Sequence, residues 1–296
     1  MWIANMVRGI IDVWNGIMTQ MIAILNQTPA EWSEGSWSIV GNIHEGLKGF
    51  AFGLLILFWA VSFFRHVEDI HKLTARELIG WFLRLILVYM VLSKSMEIMQ
   101  MVMAIATKAN TIVLQNVTLA PPQESVPPDL MQAIDTINLD FDNIGDFFTK
   151  IGAFFQAIPL SGLFLILLIA TLICAVILVV TLFMRFFRLY AYTAIAPLPL
   201  STFGGHATSE IGRHFLKAWA SVCLEVVIIS IFIAIFNAAV SDNSALFQFM
   251  DTTGQDANSV LWNGTINWMA NMAIRMGLLV TAVKTASHFL EKALGV

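Results

Sequence analysis

Residues 161–184 read SGLFLILLIATLICAVILVVTLFM, a run without one charged side chain. As a helix this run rises roughly 36 Å at 1.5 Å per residue, enough to cross the ~30 Å hydrocarbon core of a bilayer. The rest of the chain agrees with a lipid solvent. Of 296 residues, 58% are hydrophobic and 12% charged, against roughly 45–50% and about 25% in soluble domains. These features predict an all-α integral membrane protein. The formal charge of -4 offers no global basic footprint of the kind nucleic-acid binders carry. Cys174 and Cys223 stand in apolar runs, where a thiol behaves as a small hydrophobe and implies neither a disulfide nor a metal framework.

About five transmembrane helices are expected, at 47–64, 78–93 extending through a Met-rich stretch to about 107, 161–184, 222–240 and 266–283. Lys and Arg concentrate between spans one and two (Arg65, Lys72, Arg76), between three and four (Arg185, Arg188, Arg213, Lys217) and in the tail (Lys284, Lys292). By the positive-inside rule these segments face the cytoplasm, so the N-terminus is outside and the C-terminus inside. The N-terminus is interrupted by Asn5, Arg8, Asp12, Asn15 and Thr19 every three or four residues, with Trp2, Met6, Ile10, Trp14, Ile17, Met21 and Ile24 opposite. That is an amphipathic interfacial helix, lying on the membrane surface or packed on protein. The chain thus divides into an outer-surface N-terminal segment (1–45), transmembrane helices one and two (46–117), an outer loop with an amphipathic helix (118–160), and transmembrane helices three to five (161–296).

After the third span comes RFFRLYAYTAIAPLPLSTFGG. Arg185 and Arg188 are expected to leave the hydrocarbon and snorkel to headgroups, with Tyr190 and Tyr192 in an interfacial belt. Pro197 and Pro199 then remove two backbone donors, and Gly204 and Gly205 add conformational freedom. Irregular backbone at membrane depth survives only when buried in protein or lining a wet cavity. The stretch from 189 to 217 is therefore a cytoplasmic elbow or shallow re-entrant turn.

Three charges fall within the spans: Arg84, Glu225 and Arg275. Their distances from the cytoplasmic ends agree at roughly 10–14 Å, so one layer can hold all three, with Glu225 paired to Arg84 or Arg275. Such a layer is either a structural ion pair or a charged constriction. Asn263, Asn267 and Asn271, followed by Arg275, form a polar stripe on one face of the fifth span, which either bonds neighbouring helices or lines water. Gly49 and Gly53 make a GxxxG pattern suited to close helix contact, within or between subunits.

No catalytic constellation stands out. His66 and His71, and His206 and His214, have neither HExxH nor Cys/His metal spacing. No phosphate-cradling GxxxxGK[ST] occurs. The chain is therefore expected to be no enzyme, to need no cofactor or metal, and to draw any transport energy from partners.

Five spans, a long outer loop between the second and third, an arginine pair ending the third, the proline-broken APLPLSTFG elbow and the GRHFLKAW lead into the fourth together resemble the TrbL / VirB-six-like polytopic membrane proteins of type IV secretion and conjugation systems. The resemblance covers roughly 45–290, and the short, Met-rich form is most similar to versions from conjugative elements of Gram-positive bacteria. It implies a channel or scaffold subunit of the bacterial cytoplasmic membrane, assembled as a ring-like homo-oligomer, a pentamer by resemblance. It further implies partnership with mating-channel membrane proteins and cytoplasmic ATPases, and passage of single-stranded DNA with its relaxase. One departure concerns the outer loop, where Glu124, Asp129, Asp135, Asp140, Asp142 and Asp146 stand against Lys150 alone. Phosphates would be repelled there, which points to docking of external partners, or to a low-affinity conduit that avoids sticking, rather than DNA binding. A stand-alone small-solute or ion permease and a purely structural scaffold are the alternative classes.

Overall fold

A computed structural model of the chain describes residues 2–67, 75–116, 126, 147–242, 247–250 and 257–295. Every regular element among them is helical: α1 (Trp2–Leu25), α2 (Pro29–Trp32), α3 (Glu34–Val67), α4 (Ala75–Ser93), α5 (Ser95–Asn116), α6 (Phe147–Ile195), α7 (Pro197–Ser201), a 3-10 turn (Thr202–Gly204), α8 (Ser209–Asp242) and α9 (Ala257–Leu294). The protein is all-α. Among the described residues, stretches at Glu34–Arg65, Ile158–Ile195, Ser209–Ala238 and Trp262–Leu294 are long and apolar enough to cross a membrane, and there are five such spans if the bent pair α4–α5 counts as one.

Burial separates these helices from the core helices of a soluble protein. Only 11% of the apolar window of α3 is buried by the rest of the chain, against 56% for that of α8. Phe50, Ile56, Leu57 and Phe64 on α3 all stay mostly exposed. Apolar surface of that extent is stable only against lipid or other protein.

The helices outrun the expected spans. α6 is continuous for 49 residues and passes through Pro159, so the expected loop helix and the third span are one element. In the turn of the proline, the Ser161 hydroxyl donates to the Ile158 carbonyl at 2.7 Å. The acidic residues from Glu124 to Asp146 lie outside the described residues. The second span is not continuous to 107: α4 and α5 meet at 67° around Lys94.

The chain forms two compact units. The first comprises Met1–Ala23, Val117–Thr181 and Ile231–Lys284, the second Ile24–Asn116, Leu182–Ser230 and Thr285–Val296. In the first, Val7, Ile10, Trp14 and Met18 of α1 are fully buried by protein, while Asn5, Arg8, Asp12 and Thr19 are exposed. The amphipathic N-terminus is thus packed on protein rather than resting on headgroups.

The second unit holds the main core, where Leu55, Leu92, Met99, Met103, Leu189 and Trp219 pack together. Beside it Trp32 stacks on Phe186 with centroids 4.9 Å apart. α2 places that tryptophan through a capping box, in which Thr28 N–H donates to Glu31 at 2.8 Å and Glu31 N–H to the Thr28 hydroxyl at 3.3 Å. The Thr28 amide holds the Glu31 carboxyl below its usual range. Tyr190 is buried here and donates to the Pro29 carbonyl at 2.7 Å, so it is not part of an interfacial belt.

Candidate functional site

The second unit concentrates its polar chemistry around the proline-broken elbow. Pro197 opens α7, where its missing N–H would have lain in the unsatisfied first turn anyway. Hydroxyls serve carbonyls through the rest of the turn: Ser201 donates to Leu198 O, Thr202 to Pro199 O and Thr208 to Thr202 O, each at 2.7 Å. Pro197, Leu200, Ser201, Thr202, Gly204 and Gly205 are buried.

Two helices hold this wedge. A Cβ added to Gly204 would lie 2.9 Å from the Leu55 carbonyl oxygen, and one on Gly205 3.1 Å from that of Phe58. The elbow therefore lies directly on the α3 backbone, an approach only glycine permits. From α4, the Arg84 Nε donates to Phe203 O at 2.8 Å and its Nη2 to Gly205 O at 3.2 Å. The Ser62 hydroxyl accepts from the His206 N–H at 3.1 Å. The break expected over 189–217 is confined to 196–208, since α6 runs to Ile195 and α8 starts at Ser209, and it is buried against protein.

The charges are partnered differently from expectation. Glu225 takes neither Arg84 nor Arg275: both of its carboxylate oxygens accept from Arg188 Nη2 at 2.7 Å. Glu225 is 2% exposed and the Arg188 side chain 33%. Arg185, three residues before Arg188 and so on the same helix face, is 4% exposed. Its guanidinium lies 5.5 Å from the Phe186 ring centroid and within electrostatic reach of Glu225. Its Nε has no acceptor among the described residues. Arg185, being buried, is not a snorkelling anchor, and Arg188 spends its Nη2 on Glu225. Hydropathy falls at residue 185, but α6 continues to Ile195, about 15 Å further along the helix axis. Arg185 is buried in the bundle and Arg188, one-third exposed, reaches Glu225 from the same helix, so two guanidiniums on α6 face one carboxylate on α8.

Two buried polar networks escaped the sequence reading. His44 is fully buried, with Nδ1 2.7 Å from the Thr193 carbonyl and Nε2 2.7 Å from the Ser95 hydroxyl. A carbonyl can only accept, so Nδ1 carries the proton. This pin fastens α3 and α6 to the first residue of α5, beside the 67° bend. Asn110 donates to Leu25 O at 3.1 Å and accepts from the Ser230 hydroxyl at 2.5 Å.

In the first unit, two asparagines of the stripe on α9 bond the backbone of residues 247–250. Asn267 Oδ1 accepts from Phe249 and Met250 N–H at 3.0 and 2.9 Å, and its Nδ2 donates to Met250 O at 2.8 Å. Asn271 likewise accepts from Phe247 N–H at 2.9 Å and donates to Phe247 O at 2.7 Å. The two amides pair with the backbone of residues 247–250 as a strand edge would. Asn267→Ala should release residues 247–250, at a cost of about 0.5–1.5 kcal/mol because these bonds are exposed. Limited proteolysis should then cut faster between 243 and 256 while the bundle survives; an unchanged cleavage rate would refute this role.

Gly49 and Gly53 are exposed, and a Cβ on either meets nothing within 4 Å. Close helix contact within the protomer is therefore not their role; the glycines that fulfil it are Gly204 and Gly205. Among the described residues no three His, Cys, Asp or Glu side chains gather to hold a metal. Both cysteines are free thiols. In comparisons with protein-family models, curated proteins and solved structures, nothing matches this chain.

Proposed function

We propose that this chain is a channel or scaffold subunit of a conjugative type IV secretion machine in a bacterial cytoplasmic membrane, assembled as a ring and helping to pass single-stranded DNA with its relaxase. The observation that carries this reading is the elbow. The APLPLSTFG motif on which the resemblance rests is buried, seated on the α3 backbone and clamped by Arg84. A segment built in this way can transmit force or position between neighbouring subunits without unfolding. The sparse burial of α3 supports assembly further, because its apolar flanks suit contact with other subunits as well as lipid. The subunit carries no energy source of its own and works with the machine's ATPases.

Two measurements test the proposal. Purified into nanodiscs, the protein should image as a closed ring around a central space. Disrupting its gene in donor cells should abolish conjugative transfer without impairing growth, and the intact gene should restore it. A monomer that moves solute across proteoliposomes unaided, with transfer unaffected by disruption, would replace this reading by the permease.

A further inference from the structure

α4 and the elbow enclose an apolar groove of about 440 Å³, walled by Leu83, Leu87, Val91, Leu200 and Leu216 with Arg84. This volume lies in the range of small-ligand sites. Leu83, Leu87 and Val91 are 56%, 54% and 40% exposed, so the wall opens sideways, where a membrane helix meets acyl chains. Arg84 is the only charged lining residue among those described. It uses Nε and Nη2 on the elbow carbonyls, and its Nη1 donates to no acceptor among the described residues. Arg213 stands close enough to act on Arg84 electrostatically. Arg213 is paired with the exposed Glu210 at 2.9 Å, a surface pair worth little stability that an approaching anion can exchange.

A long apolar wall with a free guanidinium edge and a second cation nearby is complementary to one kind of molecule. We propose that the groove binds an anionic phospholipid, with an acyl chain laid along α4 and the phosphate on Arg84 Nη1. A zwitterionic lipid offers the same phosphate but brings a cation towards two arginines, so the headgroup's net charge sets the preference. The guanidinium would then bridge lipid and elbow, making the seating of the elbow sensitive to the surrounding lipid. This inference stands whether or not the chain serves in secretion.

Native mass spectrometry and thermal shift on the full chain in mild detergent test it, with phosphatidylglycerol, phosphatidylcholine or inorganic phosphate added. Phosphatidylglycerol should be retained preferentially and should raise Tm. Arg84→Gln should lower its retention roughly tenfold, equivalent to about 1.4 kcal/mol. Because Arg84 also holds the elbow, a second variant is needed. Leu87→Trp fills the groove without touching the clamp, and it should cut lipid retention while leaving the lipid-free Tm unchanged. Equal retention of both lipids, protection by inorganic phosphate alone, or undiminished phosphatidylglycerol binding by Leu87→Trp would each overturn the proposal. So would a Leu87→Trp variant whose oligomer dissociates, which would make the groove a contact between copies.

Discussion

Glu225→Ala should be among the most damaging single substitutions in this protein, lowering stability by about 3–5 kcal/mol, the usual loss when one member of a buried ion pair is removed. The carboxylate is 2% exposed and is the acceptor for Arg188, with the buried Arg185 cation in electrostatic reach. Without it, the two guanidiniums on α6 are left with no counter-charge. Glu225→Gln keeps one oxygen acceptor but no charge, so it should lie between Ala and the parent. Combining Glu225→Ala with Arg188→Leu should recover part of the loss, because a buried pair replaced by apolar groups is often tolerated. Thermal unfolding in detergent, followed by fluorescence-detected size exclusion, measures all three. An Ala variant within about 0.5 kcal/mol of the parent, the range of ordinary surface changes, would refute the ion-pair account. Glu225→Ala should also reduce folded yield more than Asn267→Ala, whose bonds hold a peripheral segment.

Adding one methyl group to the elbow should have the next largest effect. Gly204→Ala places a Cβ 2.6 Å from Leu55 Cδ1 and 2.9 Å from the Leu55 carbonyl oxygen. The Leu55 side chain can rotate away, but its carbonyl belongs to the α3 helix and cannot. Overpacking of this kind costs about 1–3 kcal/mol, and the strain should appear as a displaced elbow with its Arg84 bonds lengthened. Gly53→Ala is the control, since the new methyl meets nothing within 4 Å. In a helix interior that change should stabilise by about 0.5–1 kcal/mol. Opposite signs for the two substitutions, read as Tm shifts in one preparation, are the expected result. A loss at Gly53 equal to that at Gly204 would contradict it.

What the chain reveals before folding is whatever depends on local composition and period. The charge-free run at 161–184, the alternation of polar and apolar residues in the first two dozen positions, and the paired prolines at 197 and 199 each fix a local outcome: a span, an amphipathic helix, a break. Hydropathy also placed each expected span on a long apolar helix, because transfer into lipid is nearly additive along a helix, but it missed the bend that breaks the second at Lys94. It gave poor ends, because a helix need not stop where its lipid exposure stops. That error put Arg185 at the surface, whereas it is buried on α6, and it left Arg188 without its partner Glu225.

Pairing was a matter for the tertiary structure. Distance from a helix end supplies depth, and depth alone made Arg84 and Arg275 plausible partners for Glu225. The choice of Arg188 depends on which helices are neighbours and how each is rotated, neither of which is a local property. The glycines make the same point. Gly49 and Gly53 match a packing pattern yet face outward, whereas Gly204 and Gly205, read as flexible turn residues, are where two backbones touch. His44 and Asn110 become intelligible only once partners separated by 149 and 120 positions in the chain come within hydrogen-bond distance. Local sequence determined that this chain forms apolar helices with a broken turn; the packing of those helices decided which charges, glycines and buried polar groups hold the turn in place.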